Sequence, residues 1–141
     1  LQDPQDVLDD GFEEGHQEMV ILRRIPFFSM CEHHLLPFSG VANVGYVPRG
    51  RVIGLSRVSQ ALDILARRPQ LQERLTTQMV DAIMASLQPY GAAVVLEAEH
   101  LCMTLLGSQK AGSSVITSAT RGVFRARGMT RAEFLTLVQG R

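Results

Sequence analysis

Residues Ser56–Gln88 read SRVSQALDILARRPQLQERLTTQMVDAIMASLQ, and the spacing of their apolar side chains decides the fold. Val58, Leu62 and Leu65 recur at helical intervals until Arg67-Arg68-Pro69 stops the pattern, and Ser56 stands where an N-cap belongs. Leu71, Leu75, Met79, Ile83 and Leu87 then mark one face of a second helix, from about Gln70 to Gln88. Two amphipathic helices in direct succession need an apolar surface to cover, and the flanking sequence supplies strands.

Upstream, Met19–Ile25 is β-branched and apolar enough for a strand ending before Pro26, and Phe27–Leu36 reads as a loop or short turn. Gly40–Tyr46 alternates small and apolar residues. Pro48-Arg49-Gly50 then supplies turn chemistry before Val52–Leu55, which predicts a hairpin. Downstream, Ala92–Leu106 reads as a long strand, Ser114–Arg125 as another, and Arg131–Val138 as a short amphipathic helix. The order of strands, two helices, strands predicts an α+β domain with an antiparallel sheet backed by two helices. That domain spans residues 19–141. Residues 1–18, rich in Asp, Glu, Gln and Gly, read as a tail left from a truncated N-terminal region.

With 141 residues, 45% of them hydrophobic and 20% charged, the chain has the composition of one cored globular domain. Fourteen basic residues balance fourteen acidic ones, so no overall field draws it to nucleic acid or an anionic membrane. Anion binding must be local. Lys110 is the only lysine, so any phosphate grip falls largely to arginine. No apolar run approaches the roughly 18 residues of a membrane span, and the expected location is the cytoplasm. In such a reducing compartment, two cysteines far apart in sequence point to a metal or catalytic role more than to a disulfide.

Those cysteines lie in two short clusters that also hold three of the four histidines. Cys31 and His34 are separated by two residues, a spacing at which a tight turn lets both bind one ion. On the strand Ala92–Leu106, a period of two puts Ala98, His100, Cys102 and Thr104 on one face and Glu97 and Glu99 on the other. Cys31, His34 and Cys102 would give three ligands, the number at which a zinc ion keeps a position open for water. His33 and His100 remain beside it for proton transfer, an arrangement suited to hydrolysis. His16 carries no such context. Taken singly, Ser56 is a cap, Glu73 a charge on a helix and Arg67-Arg68 a solvated helix end.

The order and spacing of Ser29-Met30-Cys31-Glu32-His33-His34 with Pro37-Phe38, Gly54-Leu55-Ser56, Gln72-Glu73-Arg74-Leu75-Thr76 and Glu99-His100-Leu101-Cys102-Met103 strongly resemble GTP cyclohydrolase I. The resemblance runs from about Met19 to Leu137. It implies that Cys31, His34 and Cys102 hold Zn2+ and that His33 and His100 are the catalytic histidines. Gln72 and Glu73 would recognise the guanine edge, and Ser56 would lie on the phosphate side with Arg57. The implied reaction opens the guanine imidazole ring at C8, releases formate and recloses to 7,8-dihydroneopterin triphosphate, an entry to folate-type and pterin cofactors. The implied architecture is the tunnelling fold, an open sheet closed into a barrel by oligomerisation, in a homodecamer with active sites between subunits.

The sequence departs from that family at the phosphate end. Arg57 stands where the family usually has Lys, and Gln60 and Leu106 occupy positions that are usually Arg. Each charge-assisted hydrogen bond contributes about 1.5–3 kcal/mol, so the two changes are expected to weaken a triphosphate grip. Either Lys110, Arg67 or Arg68, from this chain or a neighbouring subunit, replaces the missing cations, or the chain is a relative that takes a less phosphorylated guanine nucleotide or nucleoside; a third alternative is a non-catalytic paralogue that keeps the assembly. A redox pair of Cys31 and Cys102 would leave the histidine clustering unexplained.

Overall fold

The structure, a computed structural model, describes residues 18–101 and 113–139. Strand β1 (Val20–Cys31) turns back through Glu32–Leu36 into β2 (Pro37–Val47). Helix α1 (Leu55–Ala66), the two-residue strand β3 (Pro69–Gln70) and helix α2 (Gln72–Leu87) follow. Strand β4 (Gly91–His100), strand β5 (Val115–Gly122) and helices α3 (Val123–Ala126) and α4 (Gly128–Gln139) complete the described chain. The sheet order is β3-β1-β2-β4-β5, antiparallel throughout except for the short parallel pairing of β3 with β1. The expected sheet backed by two helices is therefore present.

One sheet face carries Ile25, Phe27, Phe38, Val44, Tyr46, Val94 and Leu96, which pack against Val58 and Leu62 of α1 and Leu75, Met79 and Ile83 of α2. Ala93 of β4 must face the other way from Ala92 and Val94. With Val47 it forms a second cluster, capped by Phe124 and Phe134 of the C-terminal helices. The sheet is thus covered by helices on both faces, fully on one and at one end on the other.

Several boundaries differ from the sequence reading, each for a local reason. β1 does not end before Pro26 but runs on to Cys31, so Phe27–Cys31 is strand rather than loop. Among the described residues, only Pro69 and Gln70 pair with that edge of β1, at Met30 and Cys31, and an edge strand tolerates a proline. A bulge between Leu22 and Ile25 sets the face of everything beyond it. Arg24 there has φ of 59°, and its N–H donates to Asn43 Oδ1 at 2.9 Å. Val20 and Leu22 pack on the helix side before the bulge; Ile25, Phe27, Ser29 and Cys31 are buried after it.

No strand forms at Val52–Gly54, so the hairpin predicted there is absent, and β2 pairs with β1 instead. The buried Tyr46 hydroxyl takes up that segment, accepting from Ile53 N–H at 2.9 Å and donating to Ile53 O at 3.3 Å. Ser56 is not an N-cap, because α1 starts one residue earlier, at Leu55, with Gly54 as its cap. Gln70 belongs to β3 rather than to α2. At the C-terminal end, β5 stops at Gly122, whose φ of 65° turns the chain into α3; a Cβ there would lie 2.2 Å from Tyr90 O.

Candidate active site

The turn after β1 is built by its own backbone. Cys31 N–H donates to Leu36 O and Leu35 N–H to Cys31 O, each at 2.8 Å, and Leu35 takes a left-handed φ of 54°. Glu32 N–H donates to Gln70 O at 2.8 Å, and the Arg74 guanidinium pairs with the Glu32 carboxylate, so α2 grips the turn from the side. Cys31 is buried and His34 exposed, yet the turn brings Cys31 Sγ within 3.8 Å of His34 Nδ1. His33 is also exposed, its ring centroid 6.3 Å from that of His34.

His100 ends β4 beside this turn, because the register pairs it with Phe38 at the start of β2. Its ring stacks on the Phe38 ring with centroids 4.5 Å apart and planes 4° from parallel. His100 Nε2 lies 2.7 Å from Oε1 of Gln72, the first residue of α2, whose own side chain is buried. Burial lowers the His100 pKa, and the carboxylate of neighbouring Glu73 acts in the opposite direction. Glu73 itself is exposed in the first turn of α2, and a cleft of about 270 Å³ opens along Phe28, Pro37, Ser39 and His100.

Cys31, His33, His34, Gln72, Glu73 and His100 are therefore gathered at one end of the sheet. The donor set fits zinc. Two donors of a tetrahedral Zn2+, with Zn–S about 2.3 Å and Zn–N about 2.0–2.1 Å, lie roughly 3.6 Å apart, close to the separation seen between Cys31 and His34. The third expected ligand, Cys102, lies outside the described residues, as do Lys110 and Leu106. Among the described residues, no three His, Cys, Asp or Glu side chains converge. β4 is described to His100, so the position that strand alternation assigns to Cys102 lies outside the described residues.

Ser56 and Arg57 are not brought to this cluster within one chain. They are exposed at the start of α1, which follows the Tyr46 end of β2. The far end of α1 reaches the site, where Ser29 Oγ donates to Ala66 O at 2.7 Å. Ten residues of helix, roughly 15 Å, separate Ser56 from Ala66. Gln60 is exposed on the same helix, and Arg67 and Arg68 are exposed just beyond it.

Sequence reasoning did not give Phe38, Gln70 and Arg74 roles at the site. Phe38 and Arg74 stood inside recognisable motifs, but their partners are separated from them by 62 and 42 residues and have no local periodicity to announce them.

Residues 1–139 match the family model of GTP cyclohydrolase I. The chain belongs to the GTP cyclohydrolase I family. Curated relatives named GTP cyclohydrolase 1 include that of Dehalococcoides mccartyi, 58% identical over 98% of this chain and 74% of that protein. Those of Acetivibrio thermocellus and Thermobifida fusca are each 54% identical over 99% of this chain, and over 75% and 69% of their own lengths. The chain is thus an enzyme of a hydrolase family.

Among solved structures, an archaeosine synthase QueF-Like in its apo form superposes with a TM-score of 0.59 at 22% identity, covering 74% of this chain and 93% of that one. The dihydroneopterin aldolase of E. coli, in complex with neopterin, also gives 0.59, at 11% identity, covering 74% and 99%. These two likenesses establish the fold, and it is the expected tunnelling fold. Among the described residues, no helix is long and apolar enough to cross a membrane.

Proposed function

We propose that this chain is a zinc-dependent GTP cyclohydrolase I, opening the guanine imidazole ring at C8 and reclosing it to 7,8-dihydroneopterin triphosphate. The observation that carries this reading is the Cys31–His34 pair at zinc-ligand separation on the same sheet end as His100 and Glu73. Cys31, His34 and Cys102 would hold the ion. Zinc held there supplies Lewis acidity toward water and the purine.

The chain's own groups carry the remaining steps. The exposed Glu73 carboxylate accepts hydrogen bonds from the guanine ring N–H and exocyclic amine, which fixes the base at the mouth of the site. His33 and His100 donate and accept protons at their ring nitrogens as two waters add in turn at C8, one for each C8–N bond that breaks. C8 leaves as formate. The opened ribose rearranges, and the freed amine recloses on it with loss of water, so that one water is consumed overall.

The placement of Ser56 and Arg57 supports an assembly of several copies. They stand at the opposite end of α1 from His100, a placement that favours a nucleotide shared between two chains. Among the described residues the sheet also ends in open edges at β5 and at most of β1, which a ring of copies would pair. A homodecamer with interfacial sites, in which Lys110 completes the phosphate grip, satisfies both requirements. The thiol ligands call for a reducing compartment, which we place in the cytoplasm.

Gln60, where an arginine is usual, favours a second reading in which the substrate carries fewer phosphates than GTP. Formate release from GTP, GMP and guanosine at equal concentrations separates the two. The triphosphate reading expects a clear preference for GTP in kcat/KM; equal or greater efficiency with GMP would replace it by the second.

A further inference from the structure

We propose that Gln72 is a positioning residue whose side chain locks His100 as its Nε2–H tautomer, leaving Nδ1 as the ring nitrogen open to a substrate. The proposal rests on the reading of His100 as a proton carrier. It assigns the Gln72 side chain to the histidine and leaves the guanine edge to Glu73.

Gln72 Nε2 lies 2.9 Å from Val115 O and 3.3 Å from Leu96 O. Carbonyl oxygens only accept, so the nitrogen end of the amide must face them; the reversed amide would set oxygen against two carbonyls. The same nitrogen lies 3.1 Å from Thr117 Oγ1. That hydroxyl is free to accept because its own proton has somewhere to go. Thr76 Oγ1 uses its single proton on Gln72 O at 2.8 Å, so in the 2.7 Å contact between the two threonines it is Thr117 that donates.

The two amide protons thus face three acceptors, and the Gln72 oxygen is left pointing at His100. An amide oxygen cannot donate, so at 2.7 Å His100 Nε2 must carry the hydrogen. A neutral imidazole with its proton on Nε2 has its lone pair on Nδ1. The stack on Phe38 keeps the ring plane from swinging away from that bond. Gln72 is 3% exposed, and its amide nitrogen and oxygen are both engaged inside the protein.

The test uses zinc-loaded protein carrying 15N only in histidine, with the His100 signals assigned by their loss in His100→Ala. The expected spectrum shows a pyrrole-like Nε2 and a pyridine-like Nδ1 for His100; the opposite pattern would overturn the proposal even if no Gln72 variant folds. In Gln72→Ala the fixed pattern should give way to a mixture of tautomers. Its kcat on GTP should fall about 10- to 100-fold, with KM and zinc content unchanged. Gln72→Ala combined with His100→Ala should be no slower than His100→Ala alone, because Gln72 acts through the ring it no longer holds. A raised KM with kcat intact, or losses that multiply in the double variant, would show instead that Gln72 serves the purine or the fold. The spectrum needs no turnover, so a lack of activity on any purine nucleotide would sink the functional reading and not the tautomer.

Discussion

Replacing Cys31 by alanine is expected to strip zinc from the protein and to lower formate release from GTP by more than about 100-fold. Even the partners that merely orient a zinc ligand contribute about 10- to 100-fold in metal affinity or activity, and Cys31 would be a ligand itself. The fold gives this thiol few other duties. Cys31 is buried at the last position of β1, and its Sγ has the His34 imidazole at 3.8 Å. Its backbone bonds to Leu36 and Leu35 are independent of the side chain, so the turn should survive the change. Zinc per chain, measured by elemental analysis beside formate release and a circular dichroism spectrum, checks this. Full zinc with full activity in Cys31→Ala would remove the thiol from the site.

His100→Ala should do something different: retain zinc and lose catalysis. General acid–base groups contribute about 10²- to 10⁴-fold, and a kcat loss in that range is expected with zinc content unchanged. Some stability should go with it. The Phe38 ring loses its stacked partner and the Gln72 oxygen its donor, and a buried polar group left unsatisfied costs about 1–3 kcal/mol. Activity must therefore be compared well below the thermal midpoint of the variant. A His100→Ala protein that keeps its zinc, its fold and its kcat would show that the ring is a wall of the site and not a proton carrier.

The helices and the class of the fold were legible because the apolar residues of Ser56–Gln88 follow a helical period over a long stretch, where one misplaced residue changes little. The course of β1 was not. Its alternation is carried by Val20 and Leu22 before the bulge and by Ile25, Phe27, Ser29 and Cys31 after it, so the buried set changes parity at Arg23-Arg24. A search for one unbroken period stops there, and Pro26 justifies the stop only if the strand is taken to be interior; among the described residues that side of β1 is paired only at Met30 and Cys31. The consequence reaches the site, because that parity change is what turns Cys31 to the buried side.

The site was legible in pieces. Cys31 and His34 are close in sequence, and the turn holds them close in space. The link between His100 and Gln72 spans 28 residues and depends on which end of an amide meets which carbonyl, information that no residue pattern holds. Composition could equally not reveal that Ser56 and Arg57 start the helix whose other end reaches the catalytic cluster. Sequence order placed them between the two halves of the site, whereas the direction of α1 carries them away from it.

X-ray absorption at the zinc edge of the purified protein tests the central claim most directly. Zinc held by Cys31, His34, Cys102 and one water requires two sulfur scatterers at about 2.3 Å, one imidazole at about 2.0–2.1 Å and one further light scatterer. A single sulfur, a shell of four protein ligands, or zinc-free protein in which Cys31 and Cys102 are bonded to each other would contradict it.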